Sequence, residues 1–144
     1  MRIFAIVILL SSAGLTSCHV TSNDFGDDPT PTKLSSQAAG MIAGDLTGRL
    51  AEQMTPTSVM LNPRTDGDEL AKAMDSALKG WGFTPVSDPN GAAAKTVVIT
   101  YSADLLDGQV LARLSAPTLS LARAYSVSAN GAVPASPVSI MRAN

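Results

Sequence analysis

Apolar side chains recur every three or four positions after residue 35, which predicts an amphipathic helix. The stripe consists of Ala39, Ile42, Leu46, Leu50 and Met54. Ser35 or Ser36 can cap the start of this helix, and Pro56 ends it. A second row, of glycines four residues apart, consists of Gly40, Gly44 and Gly48. We expect these glycines to let the helix lie flat on a sheet.

A second helical stripe follows Asp66 and ends at Trp81. Asp66 and Glu69 stand three residues apart, which is the spacing of a capping box at a helix start. Gly80 and Gly82 flank Trp81 and supply the stop. We interpret this tryptophan, on the last turn of a helix, as a core residue rather than a platform for a ligand.

After Phe83 the apolar period changes from about 3.6 residues to two, which is typical of β-strands. The alternation is strongest over residues 95–103 and leads to Asp107–Gly108, a hairpin turn signal. A shorter strand is predicted between the helices, over residues 57–61. Strands are therefore expected both between and after the helices.

Beyond that hairpin, residues 119–127 alternate again and end at a second turn signal, Asn130–Gly131. Residues 133–140 contain two prolines and are predicted as an edge strand, because proline cannot donate to a ladder. The order of elements predicts an α+β fold, with two helices packed on a mostly antiparallel sheet of four to five strands. This would form one domain over residues 36–144.

Residues 1–17 have the order of a secretory signal peptide: Arg2, a short apolar run and then small residues. The run is too short to span a bilayer, which takes about 20 apolar residues. The sequence Leu-Thr-Ser-Cys at 15–18 resembles the bacterial lipobox. The resemblance implies cleavage between Ser17 and Cys18, a diacylglycerol thioether on Cys18 and an acyl chain on the new amine. A free thiol, an intermolecular disulfide and a buried N-terminal element are the alternatives.

Residues 18–35 are polar and interrupted by prolines, which predicts a flexible tether after the acylated cysteine. Residue 19 is His rather than the Asp that tends to retain bacterial lipoproteins at the inner membrane. This favours the outer membrane. Phe25 is the one large apolar side chain of the tether, and it would either contact the domain loosely or dock in a groove of another protein.

The charge and residue counts exclude several classes of protein. Lys plus Arg is 10 and Asp plus Glu is 12, so the net charge of −2 argues against a nucleic-acid-binding domain. One His and one Cys exclude a dedicated His/Cys metal cluster and an internal disulfide. His19 sits beside the lipidated terminus, so no Ser-His-Asp triad is available to the domain. We expect a protein that binds or scaffolds, without catalysis or a metal, and whose only prosthetic groups are the acyl chains of Cys18.

Arg123 and Tyr125 stand two residues apart on a predicted strand, hence on one face of it. If that face is buried, Arg123 needs a carboxylate or carbonyl partner. If it is exposed, the pair would form a polar-aromatic patch of the kind found at protein interfaces, or simply a solvated face. Phe25, Arg123 and Tyr125 are therefore candidate partner-binding residues.

The sequence resembles the TrbH family of conjugal transfer lipoproteins. Besides the lipobox, the resemblance rests on Ala77–Phe83, Val97–Tyr101, Leu119–Tyr125, Asn130–Gly131 and Val133–Pro134. It implies a lipoprotein at the periplasmic face of the outer membrane, in a type IV secretion system that transfers plasmids. TrbG-like and TrbI-like proteins of the outer-membrane core complex would be its partners. Its acyl chains would pin that complex to the membrane.

The alternative is a general periplasmic lipoprotein of the outer membrane that binds a small ligand or assists assembly of an envelope complex. A deep apolar pocket with converging polar groups would favour this second function.

Overall fold

A computed structural model of the chain describes residues 30–31, 33–63, 68–88 and 95–143. The predicted signal peptide, its cleavage site at Ser17 and Cys18, Phe25 of the tether and the predicted N-cap Asp66 lie outside the described residues.

The described residues form two helices and one mixed sheet of eight strands. In chain order the elements are β1 (Thr30–Pro31), α1 (Ser36–Gln53), β2 (Ser58–Pro63), α2 (Asp68–Gly80), β3 (Thr84–Val86), β4 (Val97–Leu106), β5 (Gln109–Ala116), β6 (Leu119–Ser128), β7 (Gly131–Pro134) and β8 (Ser139–Arg142). The predicted α+β class is confirmed.

The sheet order is β3-β2-β4-β5-β6-β7, with β1 beside β4 and β8 beside β6. Strand β2 runs parallel to both β3 and β4, and the other pairs are antiparallel. The parallel pairing of β2 and β3 follows from helix α2, which connects them and returns the chain to the same end. The strand count exceeds the predicted four to five because four short segments join longer strands: β1 pairs with β4, β3 with β2, and β7 and β8 both with β6.

Strand β1 lies inside the segment predicted as a flexible tether. Thr30 pairs with Leu105 and Pro31 with Asp104. They lie on the same side of β4 as β2, which pairs with the earlier residues Val97–Tyr101. The sheet therefore takes in two residues that precede the predicted domain boundary at residue 36.

Helix α1 begins and ends where the sequence predicts. The Ser35 side chain accepts a hydrogen bond from the Ala38 backbone N–H at 3.2 Å, and the helix ends at Gln53, before Pro56. Its apolar stripe is buried against β5, β6 and β7. The fully buried members are Ala38, Ala39, Ile42, Ala43, Leu46 and Leu50.

The glycine row of α1 does not lie on the sheet, so that expectation is wrong. An ideal Cβ at Gly40 or Gly44 would have no atom within 4 Å. At Gly48 it would stand 3.1 Å from Cζ2 of Trp81, the residue that follows α2. The alanines and branched residues make the approach to the sheet, and Gly48 makes room for an indole.

Helix α2 packs against α1, β2 and β3 through Leu70, Met74 and Leu78, all buried. Trp81 is 51% exposed, so its predicted place in the core is wrong. The helix ends at Gly80, and Gly82 at φ +86° turns the chain. As a result Phe83, with 3% exposure, enters the core in place of the tryptophan.

Both predicted hairpins are present. Asp107 and Gly108 have φ of 50° and 75°, the positive values that a tight two-residue turn requires. The second turn joins β6 to β7, and Gly131, at φ 117°, starts β7 directly beneath the Met41 side chain of α1. The predicted edge segment also pairs at the edge, but it is divided into β7 and β8, which both pair with β6.

Candidate functional site

A polar cluster lies between α1 and the β6 edge of the sheet. Helix α1 supplies Asp45, strand β6 supplies Arg123 and Tyr125, and the link between β7 and β8 supplies Ser136. The alternation of β6 places Arg123 and Tyr125 on the face that carries the buried Leu121, which is the face that α1 covers. We refer to Asp45, Arg123, Tyr125 and Ser136 as the clamp.

The Asp45 carboxylate is the centre of the clamp. Arg123 Nη1 donates to Asp45 Oδ1 at 3.1 Å and to Oδ2 at 2.9 Å. The Tyr125 hydroxyl donates to the same Oδ2 at 2.7 Å. Charge-assisted hydrogen bonds of this kind are about twice as strong as neutral ones. One carboxylate therefore joins α1 to two residues of β6.

The break between β7 and β8 completes the clamp. Arg123 Nε donates to the Ser136 carbonyl at 2.8 Å, and the Ser136 hydroxyl accepts from the Ala124 backbone N–H at 3.0 Å. The Ala135 N–H also donates to the Ala124 carbonyl at 2.8 Å. Strand pairing along β6 is therefore interrupted between β7 and β8. In this interruption the Ser136 carbonyl accepts the hydrogen bond from Arg123 Nε.

Burial makes these contacts strong. The Tyr125 residue is 1% exposed, and the side chains of Arg123 and Asp45 are 16% and 24% exposed. Burial raises the pKa of Tyr125 far above its ordinary value, the hydrogen bond to Asp45 and the charge of that carboxylate add to the rise, and Arg123 and Arg49 oppose it. Burial alone raises the pKa of Tyr101 in β4. Tyr125 is therefore a neutral donor throughout the physiological range.

The outer side of the clamp reaches the surface through Arg49. Its Nε lies 4.0 Å from Asp45 Oδ1, and its Nη1 lies 3.2 Å from Glu52 Oε1. The Arg49 and Glu52 side chains are 41% and 56% exposed. This pair is solvated, so it adds little to the strength of the buried contacts.

The structure answers the question that the sequence posed about Arg123. A buried face required a carboxylate or a carbonyl partner, and Arg123 has both, from Asp45 and Ser136. Tyr125 is almost fully buried, and its hydroxyl is bonded to Asp45 within the fold. Partner-binding roles for Arg123, Tyr125 and Phe25 stay predictions, and Phe25 lies outside the described residues.

Sequence reasoning missed Asp45 itself. It lies three residues after Ile42 and one before Leu46, so it borders the buried stripe in the middle of a helix. A carboxylate that borders a buried stripe differs from one on a solvated helix face. This position was the signal in the sequence that could have identified Asp45 as a site residue. Its partner is 78 residues away in sequence, and only the tertiary fold identifies it.

An open cleft of about 310 Å³ lies at the other end of β6. It is lined by Ala116, Pro117, Leu119, Ser120, Met141, Arg142 and Ala143. Its one charged lining residue, Arg142, bonds the Gln53 side chain at the end of α1. Polar groups therefore do not converge in this cleft, unlike in a small-molecule site.

Within the described ranges, no three His, Cys, Asp or Glu side chains lie close enough together to hold a metal ion. In those same ranges, neither helix combines the length and the apolar character needed to cross a membrane.

Comparison with known proteins places the chain in the class of conjugal transfer proteins. Residues 21–144 match the family model described as "Conjugal transfer protein TrbH". A relative from Sinorhizobium fredii (strain NBRC 101917 / NGR234), named "Probable conjugal transfer protein TrbH", is 44% identical over 144 residues, covering 96% of this chain and 97% of the relative. The chain belongs to the TrbH family. No solved structure matches it.

Proposed function

We propose that this chain is a lipid-anchored structural component of a conjugative type IV secretion system. It sits at the periplasmic face of the outer membrane through acylated Cys18, and its folded part contacts proteins of the outer-membrane core complex. The observation that carries the proposal is Cys18. It is the single cysteine of the chain, it directly follows the 17 residues predicted to be a leader, and the rest of the chain matches a family of conjugal transfer proteins.

The acyl chains would supply the membrane affinity. Each buried methylene contributes about 0.8 kcal/mol, so one chain gives marginal binding and two or three give a stable anchor. Thr30, in β1, follows Cys18 by twelve residues, so the extended chain between them spans at most about 40 Å. The folded part therefore works close to the membrane, within reach of envelope proteins embedded there.

The clamp suits a part that transmits force. A pull on the tether acts on β1 and then on α1, the elements nearest to the anchor in sequence. Asp45 fixes α1 to β6 by charge-assisted bonds, so the helix resists being drawn off the sheet. TrbG-like and TrbI-like proteins are the partners that this proposal assigns to the folded part.

The anchor is tested by changing Cys18→Ser in the native envelope. Because the thiol forms the thioether, we expect an unlipidated precursor that takes up no labelled palmitate, leaves the outer-membrane fraction and fails to support plasmid transfer. Ser17→Ala is the matched control, since it keeps a small residue before the cleavage site and should be lipidated normally. Unchanged palmitate labelling of the Cys18→Ser variant would refute the anchor.

The partners are tested separately, by cross-linking in the intact envelope followed by purification of the tagged chain. The proposal expects TrbG-like or TrbI-like proteins in the cross-linked product, and loss of that product when Cys18→Ser removes the anchor. A chain that is lipidated but recovered alone would remove the core-complex role and leave the anchor standing.

A further inference from the structure

One end of the sheet is formed by two neighbouring hairpin tips. Leu105 pairs with Val110, Val110 with Tyr125, and Tyr125 with Pro134, so these four residues form one row across the sheet. From that row outwards lie the β4–β5 tip, which consists of residues 105–109 and includes Leu105 of the row, and the β6–β7 tip, residues 126–133. We call this the tether end.

Large apolar side chains are concentrated at the tether end. Nine of them are exposed in the described residues, and five of these lie here. They are Leu105 (45% exposed), Leu106 (37%), Val127 (39%), Val133 (57%) and Met41 (45%) of α1, whose sulfur lies against Gly131. The two tips contain one charged residue, Asp107. Clusters of exposed apolar side chains with few charges among them are typical of surfaces that contact something outside the domain.

Strand β1, followed back in the direction of Cys18, runs towards the same end of the sheet. Strand β1 is antiparallel to β4, with Thr30 beside Leu105 and Pro31 beside Asp104. From Pro31 back to Thr30, β1 therefore runs towards the β4–β5 tip, and an extended chain of at most about 40 Å separates Thr30 from Cys18.

We propose that the tether end faces the lipid surface, with Leu105 and Leu106 on one tip and Val127 and Val133 on the other in contact with it. The inference rests on the proposed acylation of Cys18. The anchor makes the contact intramolecular, so that weak apolar contacts are populated at the high local concentration a short tether creates. The turn between β5 and β6, at Pro117 and Thr118, then points towards the periplasm.

The acylated chain offers a direct test, because the thioether consumes the single native thiol. An introduced cysteine is then the only free thiol of the mature protein. Leu106→Cys and Val133→Cys place a nitrobenzoxadiazole fluorophore on the two tips, and Thr118→Cys is the matched control at the opposite end. All three positions are exposed, so the substitutions leave the core intact. The full lipidated protein is reconstituted in phosphatidylcholine–phosphatidylglycerol vesicles with and without doxyl-labelled lipid.

The expected result is blue-shifted emission and doxyl quenching at positions 106 and 133, with neither at position 118. Equal exposure of all three labels, or quenching at position 118 alone, overturns the inference while the anchor stands. Labels at 106 and 133 that are protected in native envelopes but exposed in pure vesicles assign the tether end to a protein contact, which also overturns it. Intact mass is measured first: a mature chain without acyl groups refutes the proposed function and, with it, this orientation.

Discussion

Helices α1 and α2 cover the same face of the sheet, but different forces hold them there. The charges of α2 pair along its own exposed surface, Glu69 with Lys72 at 3.2 Å and Asp75 with Lys79 at 2.6 Å. The central charge of α1, Asp45, instead reaches across to Arg123 of the sheet. Helix α2 is therefore attached mainly by its apolar stripe, with an exposed hydrogen bond between Glu69 and Ser36 of α1, whereas α1 combines such a stripe with a partly buried ion pair to the sheet.

The difference follows from the composition of the two helices. Glycine in a helix interior is less favourable than alanine by about 1 kcal/mol, and α1 contains three. Its buried stripe also includes three alanines, Ala38, Ala39 and Ala43, which bury little area each. Helix α1 gains from an ionic contact that α2, with Leu70, Met74 and Leu78 on its inner face, does not need.

We expect the largest difference in the free energy of unfolding between variants of Asp45 in α1 and Asp75 in α2. Asp45→Ala leaves Arg123 partly buried without a counter-charge, and we expect it to lower the free energy of unfolding by about 3 kcal/mol. Asp75→Ala removes a solvated pair and should cost no more than about 0.5 kcal/mol. Urea unfolding of both variants measures the contrast. Equal losses of unfolding free energy would show that the Asp45 ion pair stabilises α1 no more than the Asp75 pair stabilises α2.

A double-mutant cycle sharpens this result. Asp45→Ala and Arg123→Ala share one contact, so the double variant should be more stable than the sum of the single losses implies, by about 1–3 kcal/mol. Strict additivity would mean that the ion pair contributes nothing. If Arg123→Ala also weakens partner recovery at a temperature where it stays folded, the residue has the additional binding role that the sequence predicts.

Tyr125→Phe removes the other donor to Asp45 and should cost about 1–2 kcal/mol near neutral pH. The pH profile tests the cause. Folding raises the pKa of Tyr125 above its ordinary value, so the stabilisation is fully present below about pH 10 and is lost as the pH rises beyond it. The wild type should therefore lose stability above about pH 10 more steeply than Tyr125→Phe. Parallel profiles would place the phenol outside the buried clamp.

The smallest predicted effect concerns two glycines of α1. Gly40→Ala adds a methyl group in open space and should stabilise the protein by about 0.5–1 kcal/mol. Gly48→Ala sets the same gain against a Cβ 3.1 Å from Trp81, so it should be neutral or destabilising. Thermal midpoints of the two variants compare them directly, and an equal rise in both would show that the indole moves away freely.

Short sequence patterns predicted the features that depend on interactions between residues close together in the chain. Ser35 and Pro56 bounded α1, Asp107–Gly108 defined a hairpin, and parity placed Arg123 and Tyr125 on one face. Even the kind of partner required by a buried Arg123 followed from the cost of an unpaired charge.

Features that depend on long-range packing were not accessible in this way. The periodicity of α2 continues through Trp81, but the helix ends one residue earlier, so the indole leaves the stripe. The parallel placement of β2 between β3 and β4 depends on how α2 crosses the sheet. Asp45 was found only because the fold brings it to a strand 78 residues further along the chain.

The two borders of the sheet also determine how the protein behaves beside copies of itself. Strand β3 is three residues long and contains Pro85, while the opposite border is split into β7 and β8 around Pro137. A proline presents no N–H group, and interrupted or very short strands offer too few consecutive groups to template another chain. Within the described residues, neighbouring molecules therefore find no long free ladder at either border to extend, which protects the protein from stacking into fibres.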